Sequence, residues 1–274
     1  GTQYGDRFYP SISGVARSLN YYPIGDEKAE EGTVSLALGL GKYIVDGGLT
    51  LRVCPYHPTQ VLQTSEMEIA LRETQTSFYA LDLRNKGENF SLDDGFNLLK
   101  LPVKEAEKDG ALQYIASTYD PYDMVIRDGI YPGGRKVITF ANILQHEVFP
   151  LSRILQLAQE YGQREMRRPV EIEFAVTLNQ KEKTGTFYLL QVRPMVDVKA
   201  DLSEDLNLIP EDKVLLKSSN SLGHGIMEDI YDIIYVKTDG YNAGNNPTIA
   251  YEIEKLNRQF LDAGKHYVLV GPGR

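Results

Sequence analysis

The feature that most constrains this chain is a helix followed by a long hairpin within residues 150–196. Leu151, Ile154, Leu155, Ala158 and Tyr161 fall on one stripe, with Pro150 ahead of it and Pro169 beyond it. That spacing predicts an amphipathic helix over 150–168, opened and closed by the two prolines. Past Pro169 the period drops to two. Val170, Ile172, Phe174, Val176 and Leu178 alternate with Glu171, Glu173, Ala175 and Thr177. Residues 186–196 read as the return strand, after a long polar turn over 179–185. A helix that must bury a stripe beside a hairpin that must bury a face calls for helix-on-sheet packing.

A symmetric turn sets Glu173 opposite Gln191 and Glu171 opposite Arg193, and sends Ile172, Phe174, Leu190 and Val192 to the buried face. Opposite residues have Cβ atoms roughly 4.5–5.5 Å apart. Two carboxylates, an amide and a guanidinium then share one patch. Carboxylates hold Mg²⁺ and a guanidinium holds phosphate oxygens, both of which phosphoryl transfer from a nucleotide requires. On alternation alone, a solvent-facing hairpin with a cross-strand ion pair accounts for these residues better than a site does.

Composition narrows the rest. There are 29 Lys and Arg against 38 Asp and Glu, a formal charge of -9. That balance argues against a general nucleic-acid binder and leaves room for a local basic pocket. No apolar run approaches the roughly 20 residues of a membrane helix. The single cysteine, Cys54, allows no internal disulfide and fits a reducing, cytoplasmic compartment. It reads as a small buried residue, and His57, His146 and His266 as lacking partners at metal-ligand spacing.

Strands are expected at 11–16, 34–38, 49–54, 76–83, 111–118 and 137–140, with a short helical turn inside the glycine-rich 39–48 and a short helix in 61–74. Residues 84–110 read as a polar excursion with a short helix near 91–99. A polar stretch at 199–210 marks a boundary, giving domains of 1–200 and 201–274. The second is read as a small α/β segment with strands at 213–217, 233–236 and 266–270 and a helix over 247–263. The fold class is α+β.

Glu171-Ile172-Glu173-Phe174-Ala175 after Pro169, then Gln191-Val192-Arg193-Pro194, resembles the end of the ATP-grasp nucleotide-binding domain of the phosphoenolpyruvate synthase and pyruvate phosphate dikinase family. A second block agrees and stands in the right order. Ser13-Gly14-Val15-Ala16 with Pro23 nearby is similar to that family's S-G-V-[MA] segment, and Gly39-Leu40-Gly41-Lys42 through Gly47 to its G-L-G-E-x-V-V-x-G. The resemblance covers roughly 10–196 and is weak over 62–135.

It implies an ATP-grasp-like mixed sheet with packed helices, binding ATP and Mg²⁺. Glu173 and Gln191 carry over as metal ligands, Gln191 and Arg193 as catalytic residues, and Glu171, Gly39, Gly41 and Lys42 as nucleotide contacts. The implied activity is that of a dikinase-type kinase or phosphotransferase: phosphate passes from ATP to a His on another domain, and pyruvate or phosphoenolpyruvate is met only through other domains. A dikinase with a different acceptor, or a degenerate binding or assembly module, is the alternative. Homo-oligomer formation is compatible with the sequence.

The departures are Lys42 for the family's Glu, Arg17-Ser18 for its Phe-Thr, and Glu171 for its Asp. The family's N-terminal lobe would lie before Gly1, so the chain is read as an incomplete fragment that binds ATP alone only at about millimolar strength. His224 lacks the spacing of the family's phosphohistidine motif and is read as a loop or helix-start residue.

Overall fold

The computed structural model describes residues 1–84, 97–179, 182, 184–195, 209–217, 227 and 229–272. The chain divides into two compact units, Gly1–Val196 and Asp197–Arg274. The first begins with β1 (Thr2–Tyr4), β2 (Arg7–Tyr9), β3 (Ile12–Arg17), a 3-10 turn at Ala29–Glu31, β4 (Thr33–Ala37), α1 (Lys42–Val45), β5 (Leu51–Val53), α2 (Met67–Glu73) and β6 (Ser77–Asp82). It continues with β7 (Leu98–Pro102), α3 (Val103–Lys108), β8 (Ala116–Asp120), β9 (Val125–Asp128), β10 (Arg135–Ile138), α4 (Ala141–Leu144), α5 (Leu151–Met166), β11 (Val170–Asn179) and β12 (Thr184–Pro194). The strands form sheets in the orders β1-β2-β6-β7, β10-β8-β9 and β12-β11-β3-β4-β5.

The five-stranded sheet carries the argument. β11 lies inside it, antiparallel to β12 on one side and to β3 on the other. Its even-numbered residues Val170, Ile172, Phe174 and Val176 are buried together with Leu151 and Leu155 of α5. Each such side chain contributes about 1.5–3 kcal/mol through removal from water. The helix comes closest at Gly162, where a Cβ would stand 3.0 Å from Val170 and 3.7 Å from both Ile172 and Val192. On β3, Gly14 leaves room for the Phe174 ring, which stacks on Phe187 with centroids 5.1 Å apart.

The hairpin register pairs Glu171 with Arg193 and Glu173 with Gln191. It then shifts, so that Phe174 pairs with Leu189. Leu190 is thus the extra residue of a β-bulge. It is 63% exposed, against the expectation that it is buried, because a bulged residue leaves the ladder and the alternation restarts after it.

Other expectations are corrected. Residues 98–102 form strand β7, not the end of a helix near 91–99, since Leu99 and Leu101 find cross-strand partners in Ala80 and Phe78; residues 91–96 lie outside the described residues. Residues 111–115 are turns, and the strand begins at Ala116. The third strand of that sheet, β9, was not expected. Phe140 adopts left-handed backbone (φ 53) and starts α4 instead of extending β10.

In the second unit, β13 (Ile230–Tyr235) and β14 (His266–Val270) pair in parallel, joined through helix α6 (Asn246–Asp262). A parallel pair requires such a crossover. Pro247 stands in the first turn of α6, where its missing N–H costs nothing, and Phe260 packs on Tyr267 at 4.8 Å between centroids. The strand expected at 213–217 is absent. A 3-10 turn occupies Glu211–Lys213, and Leu215 and Leu216 stand exposed with no neighbouring strand among the described residues.

A Cβ on Gly14 would lie 2.2 Å from the Phe174 ring, whereas one on Gly41 would meet nothing nearer than 3.9 Å. Gly14→Ala is therefore expected to destabilise the first unit by about 1–3 kcal/mol and Gly41→Ala to stay within about 0.5 kcal/mol of wild type. Urea denaturation midpoints of the two variants measure the difference.

Candidate functional site

Cross-strand partners in a sheet point to the same side. Glu171 is opposite Arg193 on β12 and Arg17 on β3, and Glu173 is opposite Gln191 and Val15. Glu171, Glu173, Gln191, Arg193 and Arg17 therefore share the face of the sheet that α5 does not cover. The structure brings together all four hairpin residues expected from the sequence and adds Arg17 to them.

Glu171 is the organising group of this face and is 9% exposed. Arg17 Nε donates to its Oε2 at 2.7 Å. Arg193 donates to its Oε1 through Nε at 2.9 Å and through its second terminal nitrogen as well. Burial pulls the carboxyl upward, but the hydrogen bonds and charges of Arg193 and Arg17 outweigh it and hold it below the usual carboxylate range. Glu171, by hydrogen bond and charge, raises Arg193 above its ordinary value, and the charge of Glu173 adds to this. Glu173 itself is half-buried, and among the described residues no hydrogen bond or ion pair reaches its carboxylate.

The glycine-rich loop is pinned to the same sheet face through β3. Ser13 stands opposite Ala175, two residues along β11 from Glu173, and its Oγ donates to the Gly39 carbonyl at 2.6 Å. Gly39 has φ +87, and a Cβ there would lie 2.6 Å from the Tyr79 carbonyl oxygen, so only glycine fits. The Leu40 N–H donates to that same Tyr79 carbonyl at 2.9 Å. Gly41 passes beside Ser13. Lys42 opens α1 and directs its Nζ to Asp46 at 2.9 Å. The Lys42 hydrogen bond, with a further one from Tyr79, holds the Asp46 carboxyl down.

Two features do not stand out in the sequence. Arg17 reads there only as a departure from a motif, yet it is one of the two cations on Glu171. Cys54 and His57 read there as isolated. Instead His57 Nε2 lies 3.0 Å from Glu31 Oε2, and Cys54 Sγ lies 4.0 Å from the same oxygen. The Cys54-Pro55-Tyr56-His57 spacing was the available signal. His224 lies outside the described residues.

Layered helices and sheets, with a carboxylate–arginine face beside a glycine-rich loop, define an ATP-grasp-like α+β nucleotide-binding domain. Residues 5–208 match the family described as pyruvate phosphate dikinase, AMP/ATP-binding domain, and the chain belongs to that family. No curated protein matches the chain. Among the described residues, no helix is long and apolar enough to cross a membrane.

The clamp on Glu171 sets a pH dependence. Its folded-state pKa is depressed, so its stabilisation is present above the unfolded-state value of about 4.3 and is lost as pH falls through the lower folded value. Glu171→Gln is expected to lower stability by about 1–2 kcal/mol near neutral pH, since the two arginines it releases are half-exposed and can be solvated. The gap to wild type closes as pH falls below about 4.3. Urea midpoints of both proteins between neutral pH and pH of about 3 measure this, and a gap unchanged across that range contradicts the clamp.

Proposed function

We propose that the chain holds ATP with Mg²⁺ on the Glu171–Glu173–Gln191–Arg193 face, and that the nucleotide's phosphate passes to a histidine carried on another domain of a pyruvate phosphate dikinase-like phosphotransferase. The single observation that carries this reading is the register that sets Glu171 opposite Arg193 and Glu173 opposite Gln191 on the face left open by α5.

The donor set fits a hard cation. The Glu173 carboxylate is half-buried with no hydrogen bond or ion pair among the described residues, and the Gln191 amide oxygen comes from the strand opposite. Oxygen donors of this kind suit Mg²⁺, which keeps waters and phosphate oxygens in its remaining positions. When bound, the ion neutralises phosphate charge. Arg193, oriented by the buried Glu171, donates to phosphate oxygens with the fixed fork of a guanidinium. Arg17, on the other side of Glu171, keeps that carboxylate ionised and in place. Gly39 and Gly41 let backbone approach the nucleotide without side-chain obstruction, and Lys42 adds positive charge at the loop. Pyruvate or phosphoenolpyruvate is met only through other domains, and the working compartment is the cytoplasm.

One observation favours a second reading. Lys42, where the resembled motif carries Glu, is paired with Asp46 within its own helical turn. On that reading the ATP-grasp module is degenerate, acts as a binding or assembly domain and passes no phosphate on.

The readings separate in the full-length protein. Glu173→Gln keeps the side-chain shape and removes the charge. It is expected to weaken Mg²⁺-dependent ATP binding by about tenfold or more, roughly 1.4 kcal/mol, with the thermal midpoint unchanged. Calorimetry with and without Mg²⁺ measures this, and wild-type affinity in the variant makes Glu173 a surface residue. Phosphohistidine formed after incubation with ATP distinguishes the transferase from the assembly module.

A further inference from the structure

We propose that Glu31, Cys54 and His57 form a binding site for a thiophilic transition-metal ion of the Zn²⁺ type. The site uses none of the residues assigned to the nucleotide.

The fold delivers the three ligands to one place. β4 and β5 pair with Val34 opposite Val53. Glu31 closes the 3-10 turn just before β4, and Cys54 follows the last residue of β5. Both therefore emerge at the same end of the hairpin. His57 is returned to that end by a tight turn, in which its N–H donates to the Cys54 carbonyl at 3.0 Å. The turn is held from outside by Gln156 of α5, whose Nε2 donates to the Pro55 carbonyl at 2.8 Å.

The donor atoms of Glu31, Cys54 and His57 lie within 4.8 Å of one another. Zinc bonds of about 2.3 Å to sulfur and about 2.0–2.2 Å to nitrogen and oxygen, in a tetrahedral arrangement, place ligand atoms roughly 3.3–3.6 Å apart. The separations of 3.0 Å from His57 to Glu31 and 4.0 Å from Cys54 to Glu31 straddle that range. The third separation, Cys54 to His57, is no more than 4.8 Å and shortens when all three donors reach one ion.

Burial, with the charges of Glu27 and Glu31, pushes the Cys54 thiol up, so a metal must displace its proton to bind the sulfur. Glu31 is fixed by the Lys28 N–H, which donates to its Oε2 at 2.8 Å. Such outer contacts orient metal ligands. Cys54 is fully buried, while the side chains of His57 and Glu31 are 23% and 17% exposed, so the fourth position faces water. A sulfur and an imidazole nitrogen select Zn²⁺ or its neighbours over Mg²⁺. On binding, the S–H bond breaks, its proton goes to buffer, and a metal–sulfur bond forms with no change of oxidation state.

The test is a Co²⁺ titration of the reduced 274-residue chain, followed by displacement with Zn²⁺. Expected are one ion per chain, a thiolate-to-cobalt charge-transfer band, and loss of that band on adding Zn²⁺ but not Mg²⁺. Loss of a group that merely orients a ligand costs about 10–100-fold in affinity, so Glu31→Gln and His57→Gln are expected to cost at least about tenfold each. Cys54→Ser is expected to abolish the band. Should Cys54→Ser fail to fold, as circular dichroism would show, His57→Gln decides, because its side chain is partly exposed. No charge-transfer band in the wild type, or wild-type Zn²⁺ affinity in folded His57→Gln, overturns the proposal and leaves an ordinary His–Glu pair over a buried thiol.

Discussion

The pairing of β3 with β11 is the constraint on which the rest of the first unit depends. It joins Ile12–Arg17 to a strand that starts at Val170. Among the described residues, β12 reaches the sheet only through β11, and β4 and β5 only through β3. The ion pair that marks this junction, Arg17 to Glu171, spans 154 residues of sequence. Without the pairing, α5 has one hairpin to cover, Phe174 has no Gly14 to lie over, and Glu171 loses one of its two cations. The glycine-rich loop is affected too, since it is pinned to β3 through Ser13.

The two faces of β11 divide the labour. Even-numbered residues are apolar and lie in the core with α5, where close packing fixes their positions. Odd-numbered residues carry the charge, and the rigidity of the packed side is inherited by the polar one. Glu171 shows how a mostly buried carboxylate is tolerated. Each of its oxygens has a guanidinium donor, so the desolvation cost of burial is offset by charge-assisted hydrogen bonds. Glu173, one pleat along, has no such protein donor among the described residues. Two chemically identical side chains thus come to differ, one anchored by two guanidinium groups and the other without a donor among the described residues.

The legibility of this arrangement in the sequence varied with the range of the contacts. The hairpin could be read because period-two alternation and a polar turn fix register locally, and the pairs at Glu171 and Glu173 need nothing else. The bulge could not, because Leu189 and Leu190 are both apolar and the extra residue leaves no break in the pattern. Arg17 carries no local sign of its role, which depends on a strand more than 150 residues away. The segment at 98–102 misled for a related reason: Leu98, Leu99 and Leu101 suit either period, and only the presence of Phe78 and Ala80 opposite makes them a strand. In the second unit, Pro247 and an amphipathic run marked α6, whereas the apolar Val214, Leu215 and Leu216 suggested a strand that has no partner among the described residues. The Cys54–His57 spacing was short enough to see, but Glu31 comes from across a hairpin.

The long separation between β3 and β11 has a consequence for synthesis on the ribosome. β3 leaves the ribosome well before β11, and one of its edges lacks that partner until residues 171–176 emerge. At about 5–20 residues per second, that interval lasts roughly 10–30 s. During it, the nascent chain displays open backbone donors and acceptors, flanked by Ile12 and Ala16, which are fully buried only in the finished fold. An unpaired edge of this kind is open to mispairing with strands such as those of the β1-β2-β6-β7 or β10-β8-β9 sheets. Slower delivery of β11 therefore lengthens the exposure of that edge.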